Sequence, residues 1–190
     1  MAKLFFRYSA MNAGKSTSLL QIAYNYEEHG QKVLLYTAGI DDRRGTGQIA
    51  SRLGLQRSAG VFDNTTDFAD QLSGQEGVAC VLVDESQFLL PVQVRQLHRI
   101  ANVTNVPVIC FGLRTDFMGT PFDGATWLLA LADDIEEIKN ICSCGRKATM
   151  NIRLNEDGQR VHEGAQIEIG GNTRYHQVCA RCFYLGENPL

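Results

Sequence analysis

Residues 9–17 read Ser-Ala-Met-Asn-Ala-Gly-Lys-Ser-Thr, directly after an apolar segment, KLFFRY, at residues 3–8. They match the phosphate-binding pattern G-x-x-x-x-G-K-[ST] except at its first position, where Ser9 replaces glycine. The apolar segment predicts a strand, and residues 15–29 predict a helix. Because the motif lies between a strand and a helix, as its function requires, it predicts a P-loop NTPase-like α/β fold with a parallel sheet and flanking helices.

Each residue type in this loop suits the binding of phosphate. Gly14 allows a tight turn, and the N–H groups of the loop and first helical turn would cradle the β-phosphate. Lys15 would bridge β- and γ-oxygens, and Ser16 would ligate Mg²⁺. We therefore expect ATP to contact the whole loop: Ser9, Ala10, Met11, Asn12, Ala13, Gly14, Lys15, Ser16 and Thr17. The alternative is a chance GKS in a turn, and Ser9 adopts a positive φ less easily than glycine.

A second candidate site follows the apolar run VACVLV at residues 78–83, which ends at Asp84 and Glu85. Such a run is typical of a parallel strand buried on both faces, and ligands bind at the carboxyl ends of these strands. Side chains alternate along a strand, so we expect one carboxylate to act on Mg²⁺ and the other to face the phosphate acceptor as a general base. The alternative is that both are solvated turn residues.

The six cysteines fall into two groups. Cys80 and Cys110 lie inside apolar runs and are predicted to be buried thiols. The other four form two close pairs near the C-terminus, Cys142 with Cys144 and Cys179 with Cys182. Such pairs are typical of a structural zinc site with four thiolate ligands. His162 and His176 are alternative ligands, and disulfides or free thiols are the alternatives to zinc.

The character of the sequence changes near residue 140. The 190 residues, 44% of them hydrophobic, are enough for one ordinary domain and a small appendage. Beyond residue 140, short β-prone pieces (ATMNIRL and AQIEIG) lie between the cysteine pairs, with glycines at the turns. We predict a P-loop α/β domain at residues 1–140 and a small zinc-binding domain at residues 141–190.

Other segments carry weaker signals. Strands are predicted at residues 32–38 and 108–113, and a helix from Pro91 to about Ala101. A short helix at residues 65–73 is predicted to be capped by Thr65 or Thr66. Residues 39–60 and 114–126 are predicted to be loops, and residues 127–140 could form either helix or strand.

The net charge and the hydropathy of the chain restrict the classes of function that it could have. The formal net charge is −3, and no block of lysine or arginine stands out, so binding to nucleic acid or a membrane surface has no electrostatic support. No apolar stretch approaches the length of a membrane span, and the N-terminus lacks the features of a signal peptide. We expect a cytoplasmic protein with no nucleic-acid or membrane partner.

Five segments together resemble the type II family of thymidine kinases: residues 9–17, AGIDDRRG at 38–45, VLVDESQF at 81–88, FGLRTDF at 111–117 and IEIGGNTRYHQVCARC at 167–182. The resemblance covers residues 3 to about 185. It implies phosphorylation of thymidine, and of deoxyuridine, at the 5′-hydroxyl by ATP to give thymidine monophosphate for DNA synthesis through salvage. It also implies that the segment between the cysteine pairs is a lasso loop that closes over the base.

The resemblance assigns roles to particular residues. Glu85 matches the general base that takes the proton of the 5′-hydroxyl, Asp84 helps to hold Mg²⁺, and Arg43 lies near the phosphates. Further nucleotide contacts are implied at Asp41, Ser86 and Gln87. The implied thymine pocket is lined by Met11, Phe88, Leu113, Phe117, Ile169, Gly170, Gly171 and Tyr175.

The resemblance further implies a homotetramer that is inhibited by thymidine triphosphate.

Two other functions remain open at the level of sequence. One is a P-loop ATPase or GTPase whose zinc segment is a nucleic-acid-binding ribbon, which salt-dependent binding to DNA would support. The other is a kinase for a nucleoside with a different base.

Overall fold

The computed structural model describes residues 1–39, 47–167 and 174–186. The first part of the chain contains these elements: β1 (Leu4–Tyr8), α1 (Lys15–Glu28), β2 (Lys32–Ala38), β3 (Gln48–Ala50), β4 (Gln56–Ser58), β5 (Gly60–Phe62), α2 (Phe68–Leu72), β6 (Val78–Val83), a 3₁₀ turn (Ser86–Phe88), α3 (Pro91–Thr104), β7 (Val108–Gly112), α4 (Asp123–Leu131) and β8 (Asp134–Glu137). The second part contains β9 (Met150–Leu154), β10 (Arg160–Val161), β11 (Tyr175–Val178) and α5 (Ala180–Leu185).

The main sheet has six strands in the order β5-β2-β6-β7-β1-β8, and every pairing in it is parallel. This confirms the predicted α/β fold with a parallel sheet. Because the strands are parallel, the carboxyl ends of β1, β6 and β7 lie along the same edge of the sheet. The phosphate loop follows β1 and the acidic pair follows β6, so the topology brings the two predicted sites together.

Helices cover both faces of the sheet. On one face, α1 packs through Leu19, Leu20 and Ala23. On the other, α3 and α4 contribute Leu97 and Leu128, which are fully buried. Burying a leucine side chain stabilises the fold by roughly 1.5–3 kcal/mol. The layered core therefore holds the sheet edge that carries the site in a fixed position.

The second part of the chain builds a small core of its own. Its sheet has three antiparallel strands in the order β10-β9-β11, and α5 packs beside β9. This core consists of Cys142, Ala148, Ile152, Leu154, Val178, Cys179, Cys182 and Phe183, with Met150 packed against it. The domain boundary at residue 140 stays a prediction, and a separate core built from residues beyond it is consistent with that boundary.

Several predicted boundaries need correction. The prediction that residues 39–60 form a loop is wrong, because β3 pairs with β4 as an antiparallel hairpin and β5 begins at Gly60. The hairpin is anchored by Ile49, which is 1% exposed and packs in the core beside α1. Helix α4 begins at Asp123, inside a segment predicted to be a loop, and residues 165–167 of the predicted AQIEIG strand are not in a strand.

The cap of α2 also differs from the prediction. Asp67 caps the helix, and its Oδ1 accepts hydrogen bonds from the backbone N–H groups of Ala69 and Asp70. The hydroxyls of Thr65 and Thr66 instead donate to Oδ1 of Asp63. Those two threonines therefore close the preceding turn and do not start the helix. No helix within the described ranges is both long and apolar enough to cross a membrane.

Candidate active site

The phosphate loop turns through two residues with positive φ. Gly14 has φ +82° and ψ +22°, and a Cβ built on it meets no atom within 4 Å, so glycine is needed there for its backbone angle and not for space. Asn12 has φ +64°. Ser9 is not among the described residues with positive φ, which are Asn12, Glu85 and Asn105 besides glycines. The first position of this motif therefore has no conformational need for glycine.

Ser9 supplies an acceptor that glycine would lack. The Lys15 ammonium donates to Ser9 Oγ at 3.2 Å and, more weakly, to the Ala10 carbonyl at 3.5 Å. Ser9 and Ala10, the first two residues of the loop, are buried. The Ser9 hydroxyl in turn donates to the carbonyl of Ala10 at 2.6 Å. These contacts hold the Lys15 ammonium against the loop.

Asp84 faces the phosphate loop from the end of β6. The hydroxyl of Ser16 donates to Asp84 Oδ2 at 2.9 Å, and the backbone N–H of Glu85 donates to Oδ1 at 3.0 Å. Burial, and then the negative charge of Glu85, raise the pKa of Asp84 to about 7, although Ser16 and the Lys15 charge oppose this. Ser16 and Asp84 present hard oxygen atoms of the kind that Mg²⁺ prefers, and a cation would favour the ionised form of Asp84.

Glu85 is held by a contact of its own, with a side chain that is tied to the end of β7. Its backbone is left-handed, with φ +51° and ψ +36°, which costs a non-glycine residue of the order of 1–3 kcal/mol. Gln87 Nε2 donates to Glu85 Oε2 at 2.6 Å, and Gln87 Oε1 accepts from the backbone N–H of Leu113 at 3.1 Å. The two carboxylates therefore face different groups, and Gln87 ties Glu85 to the loop after β7.

Ser86, in the same turn, packs against β7. Its side chain is fully buried, and its hydroxyl donates to the carbonyl of Phe111 at 2.8 Å. A Cβ added to Gly112 would lie 2.7 Å from Ser86 Oγ and 2.8 Å from Gln87 Oε1, so only glycine allows the turn to pack so closely on β7. Ser86 fixes the turn and is not part of the cavity lining.

One cavity of about 850 Å³ joins the phosphate loop to an apolar wall. It is lined by residues 11–17 of the loop and by Asp84, Glu85 and Gln87. Five predicted pocket residues line the same cavity: Met11, Phe88, Leu113, Phe117 and Tyr175. The structure therefore brings together nearly all of the predicted site that it describes. Asp41, Arg43, Ile169, Gly170 and Gly171 lie outside the described residues.

The four C-terminal cysteines form a compact cluster. Their sulfur atoms all lie within 4.8 Å of one another, and Sγ of Cys144 is 3.6 Å from Sγ of Cys179. A disulfide needs about 2.05 Å, so the disulfide alternative is wrong, and all six cysteines are free thiols. A tetrahedral zinc ion with Zn–S bonds of about 2.3 Å separates its sulfurs by about 3.8 Å, which this cluster fits. His162 and His176 are not members of the cluster.

The backbone around the cluster favours thiolates. A hydrogen bond from the backbone N–H of Arg146 lowers the pKa of Cys144 to about 6. Burial raises the pKa of Cys142, but hydrogen bonds from the backbone N–H groups of Cys144 and Cys179 outweigh it, and the net shift is downward. Since metals bind the thiolate form, the cluster is prepared for a cation.

A family model described as "Thymidine kinase" matches residues 2–183. The chain belongs to the thymidine kinase family. A thymidine kinase of Chromobacterium violaceum is 64% identical over 184 residues, which cover 97% of this chain and 99% of that protein. A thymidine kinase of Albidiferax ferrireducens is 56% identical over 185 residues, with 97% and 93% of the two chains covered. This family membership favours the kinase interpretation over a P-loop ATPase with a nucleic-acid-binding ribbon.

Among solved structures, a Pif1 helicase of Candida albicans aligns with 75% of this chain and 37% of its own, at 15% identity and a TM-score of 0.41. That likeness is too low to bear on function.

In this member of the thymidine kinase family, one residue of the site, Asn151, belongs to no recognisable sequence motif. Asn151 of β9 is 3% exposed, and its Oδ1 accepts a 2.8 Å hydrogen bond from the backbone N–H of Met11. Its Nδ2 donates to the carbonyl of Thr115 at 3.3 Å, and Nδ2 of Asn140 donates to the carbonyl of Met11 at 3.0 Å. The second part of the chain thus holds the phosphate loop directly. The sequence feature that could have indicated Asn151 is the alternation of polar and apolar residues in MNIRL, at residues 150–154.

Proposed function

We propose that this chain transfers the γ-phosphate of ATP to the 5′-hydroxyl of thymidine. Membership of the thymidine kinase family supports the reaction. The observation that carries the assignment to this site is that the phosphate loop, Glu85 and an apolar wall line one cavity. A cavity of about 850 Å³ is within the range that binds small molecules.

The phosphate loop would bind the triphosphate. Its N–H groups and the start of α1 favour negative charge, and Lys15 would move from Ser9 to the β- and γ-oxygens. We propose that Ser16 and Asp84 hold Mg²⁺, because they already present two hard oxygen atoms 2.9 Å apart. The ion supplies neutralisation of the charge on the phosphates.

We assign the role of general base to Glu85. Its carboxylate would accept the proton of the 5′-hydroxyl while the hydroxyl oxygen bonds to the γ-phosphorus. The bond between the γ-phosphorus and the bridging oxygen breaks, and ADP leaves. The hydrogen bond from Gln87 and the left-handed backbone of Glu85 support this role, because both fix its direction relative to the cavity.

We propose that the apolar wall receives the base. Phe88 lies in the 3₁₀ turn after β6, Leu113 directly follows β7, and Tyr175 comes from β11 of the second part of the chain. We further propose that the four clustered cysteines hold a structural zinc ion. Such an ion would have no open position for chemistry, so its role would be to keep β11 and α5 in place. The boundary near residue 140 belongs to the same proposal.

The remaining expectations rest on the family resemblance. They comprise action on deoxyuridine, a homotetramer, inhibition by thymidine triphosphate, and contacts from Asp41, Arg43, Ile169, Gly170 and Gly171. A homotetramer predicts a single species of about four chains in solution, which sedimentation would measure.

Chromatographic detection of nucleoside monophosphates tests the proposal. Purified protein is incubated with Mg²⁺-ATP and, in turn, thymidine, deoxyuridine, deoxyadenosine and deoxyguanosine. We expect thymidine monophosphate to accumulate with wild type and to fall below detection with Lys15→Ala. ADP formed at the same rate without any nucleoside would contradict the proposal. Monophosphate formed only from purine nucleosides would contradict the choice of base.

A further inference from the structure

Arg153 of β9 is a buried cation that lies directly behind the cavity wall. Its side chain is 6% exposed, and its guanidinium carbon lies 3.9 Å from the centroid of the Phe117 ring. Phe117 is itself 1% exposed and borders the cavity. A guanidinium stacked on an aromatic face at this distance is strongly attracted when both groups are desolvated. The position of the Phe117 ring therefore depends on Arg153.

The same guanidinium binds the backbone of a neighbouring segment. Nη1 donates to the carbonyl of Ala165 at 3.1 Å, and Nη2 donates to the carbonyl of Glu163 at 3.4 Å. Gly164, between them, has φ +131°, and a Cβ built on it would lie 2.6 Å from Nη2. Residues 163–165 thus wrap closely around the arginine, and only glycine permits that approach.

This segment leads directly into the cavity. Gln166 and Ile167, the next two residues, both line it. Across the sheet, Tyr175 of β11 is the register partner of Arg153, and Tyr175 lines the cavity as well. Arg153 therefore contacts Phe117 and the segment that leads into residues 166–167, and it pairs across the sheet with Tyr175.

We propose that Arg153 is a positioning residue for the nucleoside end of the cavity. It does not touch substrate; it fixes Phe117 and the 163–165 segment relative to each other. Lysine cannot replace it fully, since an ammonium has no planar fork to donate to two carbonyls while stacking on a ring. The inference rests on the proposed function, because it assumes that this end of the cavity binds the nucleoside.

The phosphate end depends on other contacts. Asn151, two residues earlier on β9, holds Met11 of the phosphate loop. We therefore expect changes at Arg153 to alter KM for thymidine and to leave KM for ATP and kcat nearly unchanged.

The experiment measures steady-state kinetics of Arg153→Met and Arg153→Lys with thymidine and with ATP varied separately. We expect KM for thymidine to rise about tenfold in the methionine variant and about threefold in the lysine variant. The matched control is Arg160→Met, because Arg160 stacks on Phe183 with 4.3 Å between its guanidinium carbon and the ring centroid but does not line this cavity. Its KM values should equal those of wild type.

Two further measurements keep the inference separable from folding and from the proposed function. Gly164→Ala disturbs the same contact from the other side, so it should also raise KM for thymidine, and the double variant with Arg153→Met should be less than additive. Calorimetry in the absence of ATP should show a loss of thymidine affinity in these variants that equals the rise in KM for thymidine. If Arg153→Met does not fold, KM for thymidine in Arg153→Lys and in Gly164→Ala tests the inference instead.

The inference is overturned if KM for thymidine is unchanged in the folded variants, or if KM for ATP rises equally. Failure of wild type to form thymidine monophosphate would instead overturn the proposed function. The two failures are therefore distinguishable.

Discussion

The hydroxyl of Ser16 donates a 2.9 Å hydrogen bond to Oδ2 of Asp84, although the two residues lie 68 positions apart in the chain. The contact joins the phosphate loop after β1 to the acidic turn after β6. Strand β7 lies between these strands, and β6, β7 and β1 are parallel neighbours. The parallel sheet therefore brings together two oxygen atoms from two separate sequence motifs.

Replacing Asp84 by Asn should weaken the response to Mg²⁺. An amide keeps an acceptor for Ser16 but removes the negative charge, so we expect kcat/KM to fall by about two orders of magnitude. The activity should also require a higher Mg²⁺ concentration. A titration of Mg²⁺ at fixed ATP measures both effects. Asp134→Asn, on the exposed part of β8, is the control and should behave as wild type.

The stability of the ligand-free protein should depend on pH through Asp84. Burial raises the pKa of this carboxyl from its ordinary value of 3.8 to about 7. Its stabilising contribution is therefore complete only below the unfolded pKa and is lost as pH rises through the folded pKa. Asp84→Asn cannot ionise, so the Tm of this variant relative to that of wild type should rise between about pH 4 and about pH 7 and stay level above that range. If the Tm values of wild type and of Asp84→Asn changed equally with pH in Mg²⁺-free buffer, this would contradict the buried environment that we describe for Asp84.

The cysteines should divide into two reactivity classes. We expect about one zinc ion per chain, and no rapid reaction of native protein with a thiol reagent. Chelation should release four reactive thiols, because the ion would be held by the cluster of four. Cys80 should stay inert, since burial raises its pKa to about 12, and burial raises the pKa of Cys110 as well.

Elemental analysis of variants gives the control for this prediction. Cys182→Ser should lose the zinc, whereas Cys110→Ala should keep it. Zinc absent from wild type purified without chelator would contradict the assignment.

Asn151→Ala should weaken ATP binding. The substitution leaves the backbone N–H of Met11 without its acceptor, and an unsatisfied buried group of this kind costs about 1–3 kcal/mol. Relaxation of the loop should raise KM for ATP about tenfold. Gln177→Ala removes an exposed 3.0 Å contact with Asn12 at the same boundary and should have little effect. A rise confined to KM for thymidine would contradict this role.

The sequence predicts the sheet best where a strand is buried on both faces. Residues 78–83 of β6 and residues 108–112 of β7 are continuous apolar runs, and both are observed as strands. The sequence does not predict the β3–β4 hairpin, because its strands are only three residues long and mostly polar. Only Ile49 is deeply buried there, and that burial depends on α1, which is distant in the sequence.

The residues of the candidate site likewise divide into those that the sequence predicts and those that it does not. Lys15, Ser16, Asp84 and the cysteine pairs could be predicted, because their chemistry requires short, recognisable spacings. Asn151 and Arg153 could not, because their partners (Met11, Phe117 and the 163–165 segment) are set by tertiary packing. The sequence pattern alone makes serine unfavourable at position 9, where the motif has glycine, yet the Ser9 hydroxyl accepts a hydrogen bond from Lys15.

The most direct measurement is release of ADP by wild type and by Glu85→Gln, with and without thymidine, at saturating Mg²⁺-ATP. The amide can keep the contact with Gln87 but cannot take a proton, so thymidine binding measured by calorimetry should be unchanged. We expect thymidine-dependent release in wild type and a fall in kcat of about 10²–10⁴-fold in the variant. Equal rates in the two proteins, or wild-type release that does not require thymidine, would contradict the assignment of Glu85 and of this cavity to thymidine phosphorylation.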